Sequence, residues 1–351
     1  MKAVKKKVKD VLAKGKNFVY HFEHNNSASK VLKRIEAQKG KLDPKNEQLC
    51  REYAKDIFGD IKYAPWLYVY SAFSGDFKEG WIPDNYYGEV VVPQLNGEYG
   101  RICNRNAAIN KLLGDFDSLD IGYYLNNLFL SAGFEVLSEE KLKKLLFEHQ
   151  RTIVYKVENS RQGKGIYFFN EQSFDLELIK KLGNGVFQKY IEQHPFFSQF
   201  NNASVATIRL TSVCDDNGHI EAKAGYFRIG RDNDTHVISD RQLRTPINIK
   251  TGQLHDMAYF PDSKTTKFLP NSNVTFAGKT LPSFDYCLSE ITKLHSRIPF
   301  VRCVGWDLIL DKNNQVKIIE LNGGHNGIKF NEMIQGPCFK GLNWEKLHLY
   351  K

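Results

Sequence analysis

The chain has 351 residues, 42% hydrophobic and 13% aromatic, which is enough apolar material for two or three packed modules and too much for a disordered protein. Its net charge of +9 lies wholly in residues 1–41, which hold twelve of the 49 Lys and Arg and three of the 40 Asp and Glu. A neutral body excludes an enzyme that tracks nucleic acid on a positive surface. Six cysteines (Cys50, Cys103, Cys214, Cys287, Cys303, Cys338) form no CxxC pair, and no apolar run is long enough to span a bilayer. Free thiols in a reducing compartment, hence a cytoplasmic protein, are expected.

In "MKAVKKKVKDVLAKGK", Val4, Val8, Val11 and Leu12 recur at helical spacing among Lys2, Lys5, Lys6, Lys7, Lys9 and Lys14, the pattern of a basic amphipathic helix. Such a helix packs on its own protein or makes weak peripheral contact with an anionic inner-membrane leaflet. Its short stripe without an aromatic ring favours the first reading. A helix is expected at 43–58 (Leu49, Tyr53, Ile57 inward), then an aromatic stretch punctuated by Gly and Pro to 105. Helices are predicted at 119–132 (Leu125, Leu128, Phe129, Ala132) and at 138–149, the latter capped by Ser138.

From 151 the pattern turns to strands. "RTIVYKV" and "GIYFF" flank the loop "ENSRQGK", and a helix capped by Ser173 (Leu176, Ile179, Leu182) ends at Gly183 before the strand "VFQKYI". Strands are expected at 203–213, 220–229 and 235–249, a helix at 283–297 (Phe284, Leu288, Ile291, Leu294), and a closing hairpin at 303–322. Many strands with sparse helices in this order predict an α+β chain rather than a doubly wound parallel sheet.

If Asn313-Asn314 is a two-residue turn, Asp307 faces Glu320 and Gly305 faces Asn322, all on one side of the hairpin. Opposed carboxylates cost stability without a cation between them. Two carboxylates and an amide oxygen suit Mg²⁺ that keeps phosphate ligands. The alternative, pairing with Lys312 or Lys317, leaves acids embedded among aliphatics with those lysines nearer the turn. "GGHNG" follows as backbone able to approach a ligand closely. No Walker A is present, since "GKT" at 278–280 is preceded by Asn273 where glycine is needed. Instead Lys156 stands on a strand before "SRQGKG", a flap whose N–H groups can cover phosphates.

A lysine strand with a glycine flap, "QKYI", and an Asp…Glu-x-Asn hairpin, in this order, resemble the ATP-grasp superfamily over roughly residues 105–330. The nearest likeness is to the sugar-transfer-associated group, whose relatives include glutamate-ligase-like and D-alanine–D-alanine-ligase-like enzymes. The resemblance implies an ATP-grasp fold of two α+β subdomains gripping ATP, preceded by a helical and aromatic region. Its divisions would be a basic arm at 1–42, a preceding region at 43–110, a lid with lead-in helices at 111–186 and a large subdomain at 187–351. Lys111 and Lys156 would be phosphate lysines, with Ser160, Gly163, Lys164 and Gly165 in the flap. Gln188 would meet the adenine amino group, Lys189, Tyr190 and Ile191 form the hinge, and Glu192 hold ribose. Arg209, with Arg228 and Arg231 beside it, would read phosphate or acyl-phosphate oxygens, and Asp307, Glu320 and Asn322 would hold two Mg²⁺ ions, or Mn²⁺.

The implied activity is a ligase that forms an acyl phosphate and joins an amine or amino acid to a carboxylate, here a sugar acid of a surface polysaccharide. A kinase with a hydroxyl acceptor, or a non-catalytic nucleotide-binding partner of polysaccharide assembly, are the alternatives. A homodimer, as in other ATP-grasp proteins, and no nucleic-acid partner are expected. One departure concerns the acceptor side: "NDTHVISDRQLRTPIN" lacks the double glycine of the group's usual DN…GG stretch.

Overall fold

The computed structural model describes residues 2–114, 116–158, 160, 165–200, 205–230, 242–270 and 273–350, with backbone alone for 2–14. They form two compact units, Met1–Leu95 with Gly327–Lys351, and Asn96–Asn326. Among the described residues no helix is long and apolar enough to cross a membrane.

The first unit is helical. Its opening helix runs Lys2–Lys39, far past the 16 residues of the basic pattern, and buries His21, Ala28 and Ile35 at seven-residue spacing along one face. The helix Pro44–Phe58 follows, as expected from its apolar period. Asp43 caps it by accepting from Lys45 N and Asn46 N, and left-handed Gly59 closes it. The helix Ala64–Ser74 and the following segment supply buried Trp66, Tyr70, Trp81, Tyr86 and Tyr87, so the aromatic stretch is the core of this unit. The late helix Lys329–Gln335 belongs here too. Its Glu332 carboxylate accepts from Ile82 N at 2.7 Å and Cys338 N at 2.8 Å, while Trp81 Nε1 donates to Glu332 O at 2.8 Å. Burial pushes the Glu332 carboxyl up to about 8, against those N–H donors.

The second unit is α+β, with two antiparallel sheets. The smaller has five strands in the order β2-β1-β5-β3-β4: β1 Asp120–Leu125, β2 Leu128–Ser131, β3 Ile153–Val157, β4 Ile166–Phe169 and β5 Gly185–Lys189. The helix predicted at 119–132 is therefore the hairpin β1–β2. Asn126 and Asn127 both take positive φ (50° and 66°), the two-residue turn that asparagine allows and a helix cannot contain. One face of this sheet (Tyr124, Ile153, Tyr155, Phe187) packs on Leu142 and Leu146 of the helix Glu139–Phe147 and on Ile179 of the helix Leu176–Leu182. Ser138 caps the former as expected; Asp175, not Ser173, caps the latter.

The larger sheet has seven strands in the order β10-β9-β8-β7-β6-β11-β12: β6 Thr207–Cys214, β7 Ile220–Ile229, β8 Leu243–Pro246, β9 Ala258–Tyr259, β10 Thr265–Thr266, β11 Cys303–Leu310 and β12 Val316–Asn322. The strand expected at 235–249 is β8, and 231–241 lie outside the described residues. Ile208, Leu210, Phe227, Trp306 and Leu308 form one core with Phe284, Ile291 and Leu294 of the helix Phe284–His295. Between them lies a closed polar relay. Trp306 Nε1 donates to Ser212 Oγ (2.7 Å), Ser212 Oγ donates to His295 Nδ1 (2.7 Å), and His295 Nε2 donates to Val301 O (2.8 Å). Of the two neutral tautomers only Nε2–H makes the bond to Val301 O, and burial disfavours the imidazolium.

Burial holds the His295 pKa down at about 4, against the bond to Val301. Because that value lies below the unfolded 6.5, stability is full above pH 6.5 and falls as pH drops toward 4, by on the order of 3 kcal/mol. Ser212→Ala, which orphans both Trp306 N–H and His295 Nδ1, is expected to cost about 1–3 kcal/mol in urea unfolding at pH 7.

Candidate functional site

The site face of the large sheet is the one turned away from the helix Phe284–His295. Strand register carries a single row across four strands: Tyr226 on β7 opposes Arg209 on β6, Arg209 opposes Asp307 on β11, and Asp307 opposes Glu320 on β12. Asn322, opposite Gly305, is two residues along on the same face. The expected register of Asp307 and Glu320 is thus present, though it arises differently. Asn313-Asn314 is not a two-residue turn. Asp311 and Gln315 close a three-residue loop in which only Asn314 has positive φ (61°), and this pairs Leu310 with Val316 and Leu308 with Ile318. A bulge between Asp307 and Leu308 then inserts Ile319 as an unpaired residue and restores Glu320 to Asp307.

Asp307 is buried and held from the β6–β7 side. Arg209 Nε donates to its Oδ1, Arg209 Nη2 donates to Oδ2 at 2.8 Å, and Arg228 Nη2 lies 2.8 Å from Oδ1. Arg228 is steadied in turn by donating Nε–H to Thr207 Oγ1 at 2.8 Å, and Arg209 Nη1 donates to Asn326 O at 3.2 Å. Burial favours the neutral acid, but the two guanidiniums outweigh it and hold the Asp307 carboxyl at about 2. Glu320 behaves oppositely. Its side chain reaches solvent at one edge, yet the surrounding protein and then the charge of Asp307 raise its pKa, against Lys156, Arg209 and Arg228.

Lys156 on β3 comes from the small sheet, where alternation puts it on one face with Gln188 of β5 and Asp120 of β1. Its Nζ donates to Ile319 O at 3.2 Å, the residue that the bulge leaves unpaired. Burial lowers the pKa of the ammonium, while Glu320, Asp120 and Asp307 pull it back up. Asp120 was not singled out in the sequence. It accepts from Gln188 Nε2 (2.8 Å), Tyr123 O–H (2.8 Å) and Asn110 Nδ2, and a bulge between Asp120 and Gly122 brings Tyr123 to that face. Asp120 opens the segment whose pattern predicts a helix, where an acid in the first turn is ordinary, so its role in β1 leaves no local signal.

The remaining predicted residues are spread more widely. The flap base is present: Val157 N donates to Gly165 O (2.9 Å) and Ser160 Oγ to Val157 O (2.8 Å). Gly165 has φ +82°, and a Cβ there would sit 2.8 Å from Ser160 Cβ, so only glycine fits. Gly163, Lys164 and Arg231 lie outside the described residues. Lys111 is exposed on the helix Asn106–Leu113, its Nζ 5.8 Å from the Phe134 ring centre. Lys189 N donates to Leu119 O (2.8 Å), Tyr190 is 46% exposed, and Ile191 is half-buried. Glu192 is exposed and paired with Lys312 (2.8 Å). Lys317 pairs with Asp117 and Asp311, and so is not a partner of Asp307 or Glu320. The first glycine of "GGHNG" is committed within the fold, since a Cβ on Gly323 would sit 2.6 Å from both Cys103 Sγ and Gly100 O.

The donor set fits a hard divalent cation. Three of the roughly four acceptor positions on Asp307 are taken, leaving one. Glu320 makes no hydrogen bond or ion pair among the described residues, and the Asn322 amide contacts only Gly305 O (3.5 Å), through its nitrogen. A carboxylate, an amide oxygen and the last position on Asp307 are therefore open on one face.

A family model described as sugar-transfer associated ATP-grasp matches residues 125–346. Among solved structures, the chain is similar to the biotin carboxylase domain dimer of Hydrogenobacter thermophilus 2-oxoglutarate carboxylase, solved with MgADP, ADP and bicarbonate (15% identity, 74% of this chain, 47% of that one, TM-score 0.44). It is also similar to the D-alanine-D-alanine ligase from Coxiella burnetii (12%, 73%, 59%, 0.41) and to the ATP-grasp ligase PsnB complexed with a minimal precursor (11%, 73%, 64%, 0.39). The chain spans about half the length of the carboxylases and of the carboxyaminoimidazole ribonucleotide synthetase that it matches. No curated protein matches it in sequence.

The Arg209–Asp307 pair has a thermodynamic signature of its own. Arg209→Leu leaves Arg228 alone to hold the buried carboxylate and is expected to cost about 3–5 kcal/mol in chemical denaturation. The double variant Arg209→Leu/Asp307→Leu is expected to be more stable than Arg209→Leu alone.

Proposed function

Because the chain belongs to the sugar-transfer associated ATP-grasp family, we propose that it is an ATP- and Mg²⁺-dependent carboxylate–amine ligase. The observation that carries this reading is Lys156 reaching from the small sheet to Ile319 O, beside the Asp307–Glu320 pair. In this reading a phosphate-binding lysine and a cation clasp share one cleft. In this reading the carboxylate is a sugar acid of a surface polysaccharide or its precursor, and the second substrate is an amino acid or amine.

The chemistry must bring a carboxylate anion to a polyanion. Lys156, Arg209 and Arg228 are balanced by Asp120, Asp307 and Glu320, so these six groups carry no net positive charge to receive a triphosphate. Mg²⁺ held by Asp307, Glu320 and Asn322 would supply that charge. Lys156, and Lys111 from its helix, neutralise phosphate oxygens, while the flap from Ser160 to Gly165 keeps water off the reacting carboxylate. A carboxylate oxygen then attacks the γ-phosphorus as the bond to the ADP oxygen breaks. The amine next attacks the acyl carbon, loses a proton and expels inorganic phosphate. Arg209 and Arg228 act here chiefly by fixing Asp307, with their remaining N–H groups available to oxygen atoms of the acyl phosphate. Glu192 and the hinge at Lys189, Tyr190 and Ile191 hold the nucleoside.

Gln188 selects the base. Gln188 Nε2 donates to Asp120 Oδ1, so its amide oxygen points away from Asp120, in this reading toward the nucleotide. That oxygen accepts from the adenine amino group and opposes the guanine carbonyl. Asp120→Asn frees the amide to turn, and is expected to narrow the ratio of ATP to GTP kcat/KM by about 5–100-fold.

The reaction itself is tested by ADP release over uronic-acid sugars crossed with amino acids, with hydroxylamine present. A hydroxamate marks an acyl phosphate; steady ADP release without one marks a kinase. Glu320→Ala is expected to lower Mg²⁺-dependent turnover by about 100-fold or more, and full activity in that variant would falsify the clasp.

A further inference from the structure

The opening helix Lys2–Lys39 has two unlike faces. His21, Ala28 and Ile35 are buried in the helical unit. About a third of a turn away, Phe18 (71% exposed), Val19 (52%) and Phe22 (58%) lie bare to solvent, with the Phe18 and Phe22 rings stacked at 6.3 Å. In sequence these three continue the spacing of Val4, Val8 and Val11, so the apolar stripe does not end at residue 16 and it does contain aromatic rings. Residues 2–16 carry seven lysines against the single Asp10. Two large apolar rings exposed next to a block of like charge are costly in water, and they match a surface that offers anionic headgroups over an acyl layer.

We propose that this helix docks the protein on an anionic bilayer surface, lying in the interface with Phe18, Val19 and Phe22 inserted and the lysines among acidic headgroups. The charge favours a bilayer over an apolar protein groove, because a groove that buried the phenyl rings would also have to receive a dense positive block. A polyanion alone would use the lysines and leave the rings idle. The docking leaves the buried face of the helix where it is, so the fold does not depend on it.

The test uses the full chain with sedimentation on vesicles of pure phosphatidylcholine and of phosphatidylcholine mixed with phosphatidylglycerol. The expected result is binding to the mixed vesicles only, weakened by salt, with Phe18→Ser/Phe22→Ser lowering the apparent affinity at least tenfold. Circular dichroism and thermal midpoint of that variant should be unchanged, since both side chains are exposed. Failure to bind the mixed vesicles, or binding that ignores the two phenylalanines, overturns the proposal. Retention on heparin that ignores them, without vesicle binding, identifies a polyanion-binding arm and overturns it equally.

Discussion

The organising constraint is the buried carboxylate of Asp307. An acid at that depth survives ionised only because Arg209 and Arg228, one strand and two strands away, bring three guanidinium contacts to it. The row Tyr226–Arg209–Asp307–Glu320 runs neutral, positive, negative, negative across the strands, and its last member makes no hydrogen bond or ion pair among the described residues. The sheet is thus electrically complete up to β11 and incomplete at β12. That incompleteness draws cationic groups to the edge, and Lys156 already stands near it.

The bulge at Ile319 serves both sheets at once. It moves Glu320, instead of an isoleucine, opposite Asp307, and it releases a carbonyl from the ladder for Lys156 Nζ. On the small sheet, Asp120 fixes Gln188 on the face that carries Lys156, while the opposite face is sealed by two helices. The Ile319 bulge and the one between Asp120 and Gly122 therefore set the geometry of the cleft, and the strands around them hold it.

How much of this was legible in the sequence follows from which signals are local. Apolar period and capping residues foretold the helices Pro44–Phe58, Glu139–Phe147 and Phe284–His295 and most of the strands. The pairing of Asp307 with Glu320 was legible too, but through two one-residue errors that cancel: a turn one residue longer than expected and an unforeseen bulge. The same Asn-Asn signature that misplaced the 313–314 turn makes the two-residue turn at 126–127, where a helix was expected. Asparagine permits positive φ without fixing loop length, so the signal was real and its count was not. Asp120 was hidden because its meaning lies in partners 10 and 68 positions away in sequence. The guanidinium clasp on Asp307 was hidden because sequence separates Arg209 from it by 98 residues.

The helical unit is discontinuous, and that has a consequence for the order in which the chain is made. Trp81, Ile82 and Tyr86 bond to Glu332 and Trp344, so the first 95 residues lack those partners until about 250 more have left the ribosome. The unit Asn96–Asn326 has no such debt and can collapse while synthesis continues. Nascent chains therefore emerge with an aromatic N-terminal segment waiting longest for its last helix, and it is there, rather than at the two sheets, that a chaperone has most to shield.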